Sequence, residues 1–126
     1  MNHTQFIYDV VHSYTATIYI GLKDFATGVT ADPALLQEFV RSYVREFRRG
    51  TPAGCVTVTP TTFSFVDGYE DGFAIGFINY PRFPTSPDAI KQSALRFAEA
   101  LVVEFRQRRV SVVLPDETVM IAPVEV

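Results

Sequence analysis

An α+β fold is predicted for the 126-residue chain by three observations. Some segments alternate apolar and polar residues with a period of two, others repeat apolar residues at three- and four-residue spacing, and turn chemistry separates them. Read in order they give strand, helix, strand, strand, helix, strand and one further strand. With 48% hydrophobic residues at this length, a single domain over 1–126 is expected, with 1–12 as a mobile N-terminal segment.

The first strand runs from Ser13 to Gly21, with Ala16, Ile18 and Ile20 on one face and Thr15, Thr17 and Tyr19 on the other. Turn residues from Thr27 lead to Asp32, a helix N-cap, and to Pro33 at the first helical position, where its missing N–H costs nothing. Leu35, Leu36, Phe39, Val40, Tyr43, Val44 and Phe47 then form an apolar stripe, and Gly50 before Pro52 marks the stop. Cys55 to Val66 reads as a strand, placed at a sheet edge or bulged by Pro60.

Asp67-Gly68-Tyr69-Glu70-Asp71-Gly72 is expected to be a hairpin turn, because its two Asp-Gly pairs suit positive backbone angles. The return strand, Phe73 to Tyr80, puts Phe73, Ile75 and Phe77 on one face and Ala74, Gly76 and Ile78 on the other. A loop stiffened by Pro81, Pro84 and Pro87 ends in Ser86 as N-cap of the second helix. That helix buries Ile90, Ala94, Phe97, Ala98, Leu101, Val102 and Phe105, and is expected to close on an arginine-rich last turn. Val110 to Leu114 and Thr118 to Ala122 are the last two strands.

This order is that of the ferredoxin-like βαββαβ antiparallel sheet, with two helices on one face and an extra C-terminal strand. The face without helices would carry Thr15, Thr17 and Tyr19 beside the smaller residues of the central strands. Monomers seldom expose such a surface, so a homo-oligomer, a trimer or hexamer, is expected to cover it, or a ligand to use it as a floor.

Fourteen acidic and eleven basic residues give a net charge of −3, which does not favour duplex nucleic acid as a partner. No apolar run approaches the roughly 18 residues of a membrane-spanning helix. The opening Met1-Asn2-His3-Thr4-Gln5 has no basic stretch of a secretory signal, and the lone Cys55, expected to be a small buried residue, fits a reducing cytoplasm. His3, His12 and Cys55 supply no metal cluster. Neither a nucleophile with a histidine base nor a glycine-rich phosphate loop is present, and the carboxylates at Asp67, Glu70, Asp71, Asp116 and Glu117 sit in predicted turns. The chain is therefore expected to be a binding protein and not an enzyme, with no cofactor.

Nine of the eleven basic residues are arginine, and seven fall in two blocks, Arg41-Arg45-Arg48-Arg49 and Arg106-Arg108-Arg109. A guanidinium fork matches a phosphate or carboxylate. Asn79, Tyr80, Arg82 and Phe83, held by prolines, offer an amide, two rings and a cation with little entropy to lose on binding. These four, with Arg108 and Arg109, form the expected ligand site. In a ferredoxin-like fold the two groups lie at opposite ends of one subunit, so a neighbouring subunit would have to bring them together.

The run Cys55-Val56-Thr57-Val58-Thr59-Pro60, with a hairpin at Gly68 and Glu70, resembles the central hairpin of the CutA proteins, trimeric relatives of the PII signalling proteins. CutA strands end in Lys-Thr where this chain has Ile78-Asn79, and the acidic residue before that pair is missing, which removes support for a metal role. In general make-up, with Asn79, Phe83 and Arg108-Arg109, the chain is similar to the Thoeris anti-defence sponges of phages. That resemblance implies an oligomer that sequesters cyclic ADP-ribose or cyclic oligonucleotide signals. The leading expectation is thus a cytoplasmic, non-enzymatic binder of a phosphorylated nucleotide-like molecule. The alternatives are a CutA or PII-like trimer and a small viral assembly protein.

Overall fold

The computed structural model describes residues 3–47 and 55–124. The chain forms β1 (Thr15–Gly21), α1 (Pro33–Phe47), β2 (Thr57–Phe65), β3 (Gly68–Ile78), α2 (Pro87–Glu104), β4 (Val110–Val113) and β5 (Thr118–Ile121). The sheet order is β2-β3-β1-β4-β5, with every neighbouring pair antiparallel. The ferredoxin-like α+β arrangement is therefore present, with β5 added beside β4. Arg48, Arg49, Gly50, Pro52 and the side chain of Phe47 lie outside the described residues.

Helix starts follow the local chemistry. Asp32 Oδ1 accepts from the Ala34 N–H at 2.9 Å, and Ser86 Oγ accepts from the Ala89 N–H at 3.1 Å, each followed by proline at the first helical position. Alternation then decides which face of each strand is buried. Ala16, Ile18, Ile20, Phe73, Ile75, Phe77, Val110 and Val112 all point under the helices and are at most 2% exposed. Phe97 of α2 is the central plug. Its ring is fully buried, 4.1 Å from that of Tyr43 on α1 and 6.0 Å from that of Phe77 on β3. Truncating it to alanine would cost about 3–5 kcal/mol. Leu35, expected in the stripe of α1, is instead 55% exposed.

The hairpin differs from expectation. The turn is the two residues Val66 and Asp67, since Phe65 already pairs with Gly68, and Tyr69 to Gly72 belong to β3. Neither hairpin glycine has a positive φ. Gly72 is required for space instead: a Cβ there would collide with the Ile20 carbonyl and the Phe63 ring. The continuous β2–β3 ladder outcompetes the turn preference of the second Asp-Gly pair.

The end of α2 also differs. The helix stops at Glu104, with no basic residue in its last turn. Phe105 caps it through its N–H to the Leu101 carbonyl at 3.0 Å, and the Gln107 N–H reaches the Val102 carbonyl at 3.1 Å. This is a Schellman ending with Arg106, at φ 48°, in the left-handed position that glycine normally takes. Arg106, Arg108 and Arg109 thus lie beyond the helix, where the left-handed turn redirects the chain toward β4.

Cys55 is exposed rather than buried, because it precedes β2 and does not belong to it. Its thiol pairs with the Tyr80 hydroxyl, and this contact, with partial burial, raises the Tyr80 pKa above its ordinary 10.0. Among the described residues no helix is long and apolar enough to cross a membrane.

Candidate functional site

At the end of the sheet where β1 finishes, residues 22–31 make a tight loop. Asp24 Oδ1 accepts from the Ala26 and Thr27 N–H groups at 2.8 and 3.2 Å, the Asp24 and Gly28 backbones close the turn, and Gly28 supplies a φ of 73°. The loop projects Phe25, which is 51% exposed. The Phe25 N–H donates to the Arg106 carbonyl at 3.1 Å, tying this loop to the left-handed turn after α2.

Gln107 locks the junction. Among the described residues it is the buried polar one, and its Nε2 donates to the Lys23 and Phe105 carbonyls, both at 3.0 Å. An apolar replacement would leave those acceptors unpaired inside the fold. With the backbone fixed, Arg108 lies over the Phe25 ring at 5.6 Å and Arg109 emerges beside it. Neither arginine makes an ion pair among the described residues, whereas Arg106 sits 3.9 Å from Asp24.

Glu70 completes the cluster. Expected in a turn, it lies within β3 on the helix-free face, paired with Phe63. Its carboxylate folds across Gly21, where any Cβ would collide with it, and accepts from the Lys23 N–H at 3.2 Å. Lys23, Phe25, Glu70, Arg108 and Arg109 line a groove of about 380 Å³, which adjoins one of about 520 Å³ between Phe25, Arg108, Arg109, Met120 and Val124. The arrangement offers a ring for a planar group, two guanidinium forks for anionic oxygens and one carboxylate for a cation.

The other expected residues lie at the opposite end of the sheet, where Ile78 pairs with Thr15. The Asn79 side chain donates from Nδ2 to the His12 carbonyl and accepts from the Thr85 N–H, both at 3.0 Å. Its amide thus ties the N-terminal segment to the proline-rich loop. Tyr80 is engaged with Cys55, and the Arg82 guanidinium stacks 5.6 Å from the ring of Phe83, which is 69% exposed. One subunit therefore does not bring the two groups together. Lys23, Phe25, Gln107 and Met120 were not singled out from the sequence. The turn chemistry from Thr27 pointed to a loop, but nothing in the pattern joined it to the residues after α2.

No protein-family model and no curated protein sequence matches the chain. Two solved structures do. A phage SAM lyase in complex with S-methyl-5'-thioadenosine is similar at TM-score 0.65 and 15% identity, over 95% of this chain and 97% of that one. A phage SAM lyase in the apo state is similar at TM-score 0.66 and 16% identity, over 87% and 89% of the two chains. At these identities the likeness is one of fold.

It overturns the expectation that the chain is not an enzyme, because the same architecture over nearly its whole length is that of proteins named for lyase activity. The motifs whose absence supported that expectation belong to metal, nucleophile and phosphate-loop chemistry. Lyase chemistry is not confined to those motifs, so their absence does not exclude an enzyme.

Proposed function

We propose that this chain binds an adenosine-containing sulfonium compound of the S-adenosylmethionine type in the Phe25–Glu70–Arg108–Arg109 groove and cleaves it. The observation that carries the reading is the likeness over 95% of the chain to a lyase holding a nucleoside thioether, taken with a groove of matching chemistry. A phage setting is part of the reading, since both neighbours are phage proteins.

The chemistry follows from the nucleoside in that neighbour. S-methyl-5'-thioadenosine keeps the methyl and adenosyl groups on sulfur, so its release from a sulfonium breaks the bond from sulfur to the third carbon. The bonding pair stays on sulfur, which leaves as a neutral thioether, while an oxygen of the substrate's own carboxylate forms the new bond to the freed carbon and closes a lactone, so that no water is consumed. The substrate's own positive charge activates that departure. The protein's share is then positioning and electrostatics. In this reading Phe25 stacks on the purine, a fork from Arg108 or Arg109 holds the amino-acid carboxylate, and Glu70 faces the cationic part. Asn79, Tyr80, Arg82 and Phe83 would join only if a neighbouring subunit presents them.

The test is incubation of the purified chain with S-adenosylmethionine and chromatographic detection of S-methyl-5'-thioadenosine. Turnover is expected, and Glu70→Gln should lower it by about 100-fold, the scale of removing one preorganised electrostatic group, while the fold persists. Stoichiometric binding with the ligand returned unchanged would refute cleavage and favour sequestration of a nucleotide-like molecule. Absence of both would overturn the reading.

A further inference from the structure

Ahead of β1, residues 3–13 form neither helix nor strand, and they carry the most exposed group of large apolar side chains among the described residues. Phe6, Ile7, Tyr8 and Val10 are 74, 88, 86 and 87% exposed. Among the described residues, the first hydrogen bonds to this arm come at its base, from Asn79 to the His12 and Tyr14 carbonyls. The molecule has a second uncovered apolar surface, the helix-free face of the sheet. Register places Tyr19, Phe65, Ile78, Val113 and Met120 on that face, each between 39% and 60% exposed.

We propose that the N-terminal arm of one copy lies on the open sheet face of a second copy of this chain. The argument is one of area and fit, and it is independent of the reaction proposed above. Phe6, Tyr8 and Val10 share one side of an extended arm and offer about 400 Å², and the surface receiving them a similar amount. A reciprocal exchange therefore buries about 1,600 Å², past the roughly 1,000 Å² of a stable specific interface. The face suits an extended occupant, since its middle is short and uncharged, with Thr17, Thr59, Ala74 and Gly76 between the larger residues. The sheet edges suit it less. β2 is interrupted by Pro60, and β5 is only four residues long.

Complementation of two broken copies tests the pairing directly. The full chain should sediment as a multiple of 14.1 kDa at micromolar concentration. A copy with Phe6→Ser and Tyr8→Ser loses its arm, and a copy with Val113→Lys loses its face. Each alone should sediment as a folded monomer of 14.1 kDa, with self-association weakened by about 100-fold or more. Mixed together they should re-form a complex, because the arm of the second copy still meets the intact face of the first. Met120→Lys replaces Val113→Lys if circular dichroism shows that variant misfolded. A monomeric full chain, an arm variant that stays assembled, which would indicate face-to-face contact, a face variant that stays assembled, which would indicate arm-to-arm contact, or a mixture that stays monomeric would each overturn the proposal.

Discussion

The two ends of the sheet each present an arginine beside a phenylalanine, but their surroundings differ. At the Asn79 end, Arg82 stacks on the residue next to it in sequence, and the nearby amide and hydroxyl are engaged with His12, Thr85 and Cys55. At the Lys23 end, Arg108 stacks on a ring from a loop more than 80 residues away, and Gln107, Arg106 and Asp24 hold the backbone while Arg109 and Glu70 face a groove. Local contacts at the first end organise a connection. Long-range contacts at the second end organise a cavity.

Replacing Arg108 and Arg109 together with glutamine probes this contrast most strongly. Calorimetric titration with an adenosine sulfonium or nucleotide ligand should show affinity reduced by about 100-fold or more, since each charge-assisted contact contributes about 1.5–3 kcal/mol. Stability should change little. Both side chains are exposed and lie outside α2, and only the Arg108–Phe25 stack, about 0.5–1 kcal/mol, is lost. Unchanged affinity would show that this end is not the binding end.

Asn79→Ala should do the reverse. Loss of its two side-chain hydrogen bonds is expected to destabilise the fold by about 1–2 kcal/mol while leaving affinity intact. Chemical denaturation measures the first effect and titration the second. The neighbouring Phe83→Ala should stay within about 0.5 kcal/mol of the parent, because its ring is exposed. A large loss of affinity in Phe83→Ala would break the comparison and bring the Asn79 end into the site.

Arg106→Gly should stabilise the protein, by about 0.5–1 kcal/mol, by relieving a left-handed residue at the helix end. The weak contact to Asp24, 3.9 Å away and mostly exposed, offsets little of this. A destabilised variant would mean that the Arg106 side chain, not the backbone, holds the loop.

The smallest effect concerns alkaline pH. The Cys55 contact and burial raise the Tyr80 pKa, so the folded chain holds that phenol's proton more tightly than the unfolded chain does. Its contribution is fully present below pH 10.0 and is lost as the pH rises through the higher folded value. Tyr80→Phe should therefore lower stability slightly at neutral pH, where the contribution is lost, and flatten the fall above pH 10.0. A denaturation series across that range gives the answer.

What could be read from sequence follows the range of the interactions. Alternation in β1 and β3, the Asp32 and Ser86 caps and the stripe of α2 are local patterns, and each predicts its element directly. Glu70 was misplaced because Asp67-Gly68 and Asp71-Gly72 look alike in sequence, whereas only the first adjoins the turn. Arg108 and Arg109 were singled out from their charge, but their partner Phe25 was not. Nothing within one element records a contact that Gln107 creates between the loop after β1 and the exit of α2.

Pro60 limits how this molecule can grow. On an edge strand its missing N–H is tolerated on the solvent side, and the same gap interrupts the row of donors that an incoming strand would need. A chain with a sticky, aromatic-rich terminus risks open-ended stacking into fibres if its longest free edge is intact. One proline in the middle of β2 removes that route, favouring assemblies that close on a small number of copies.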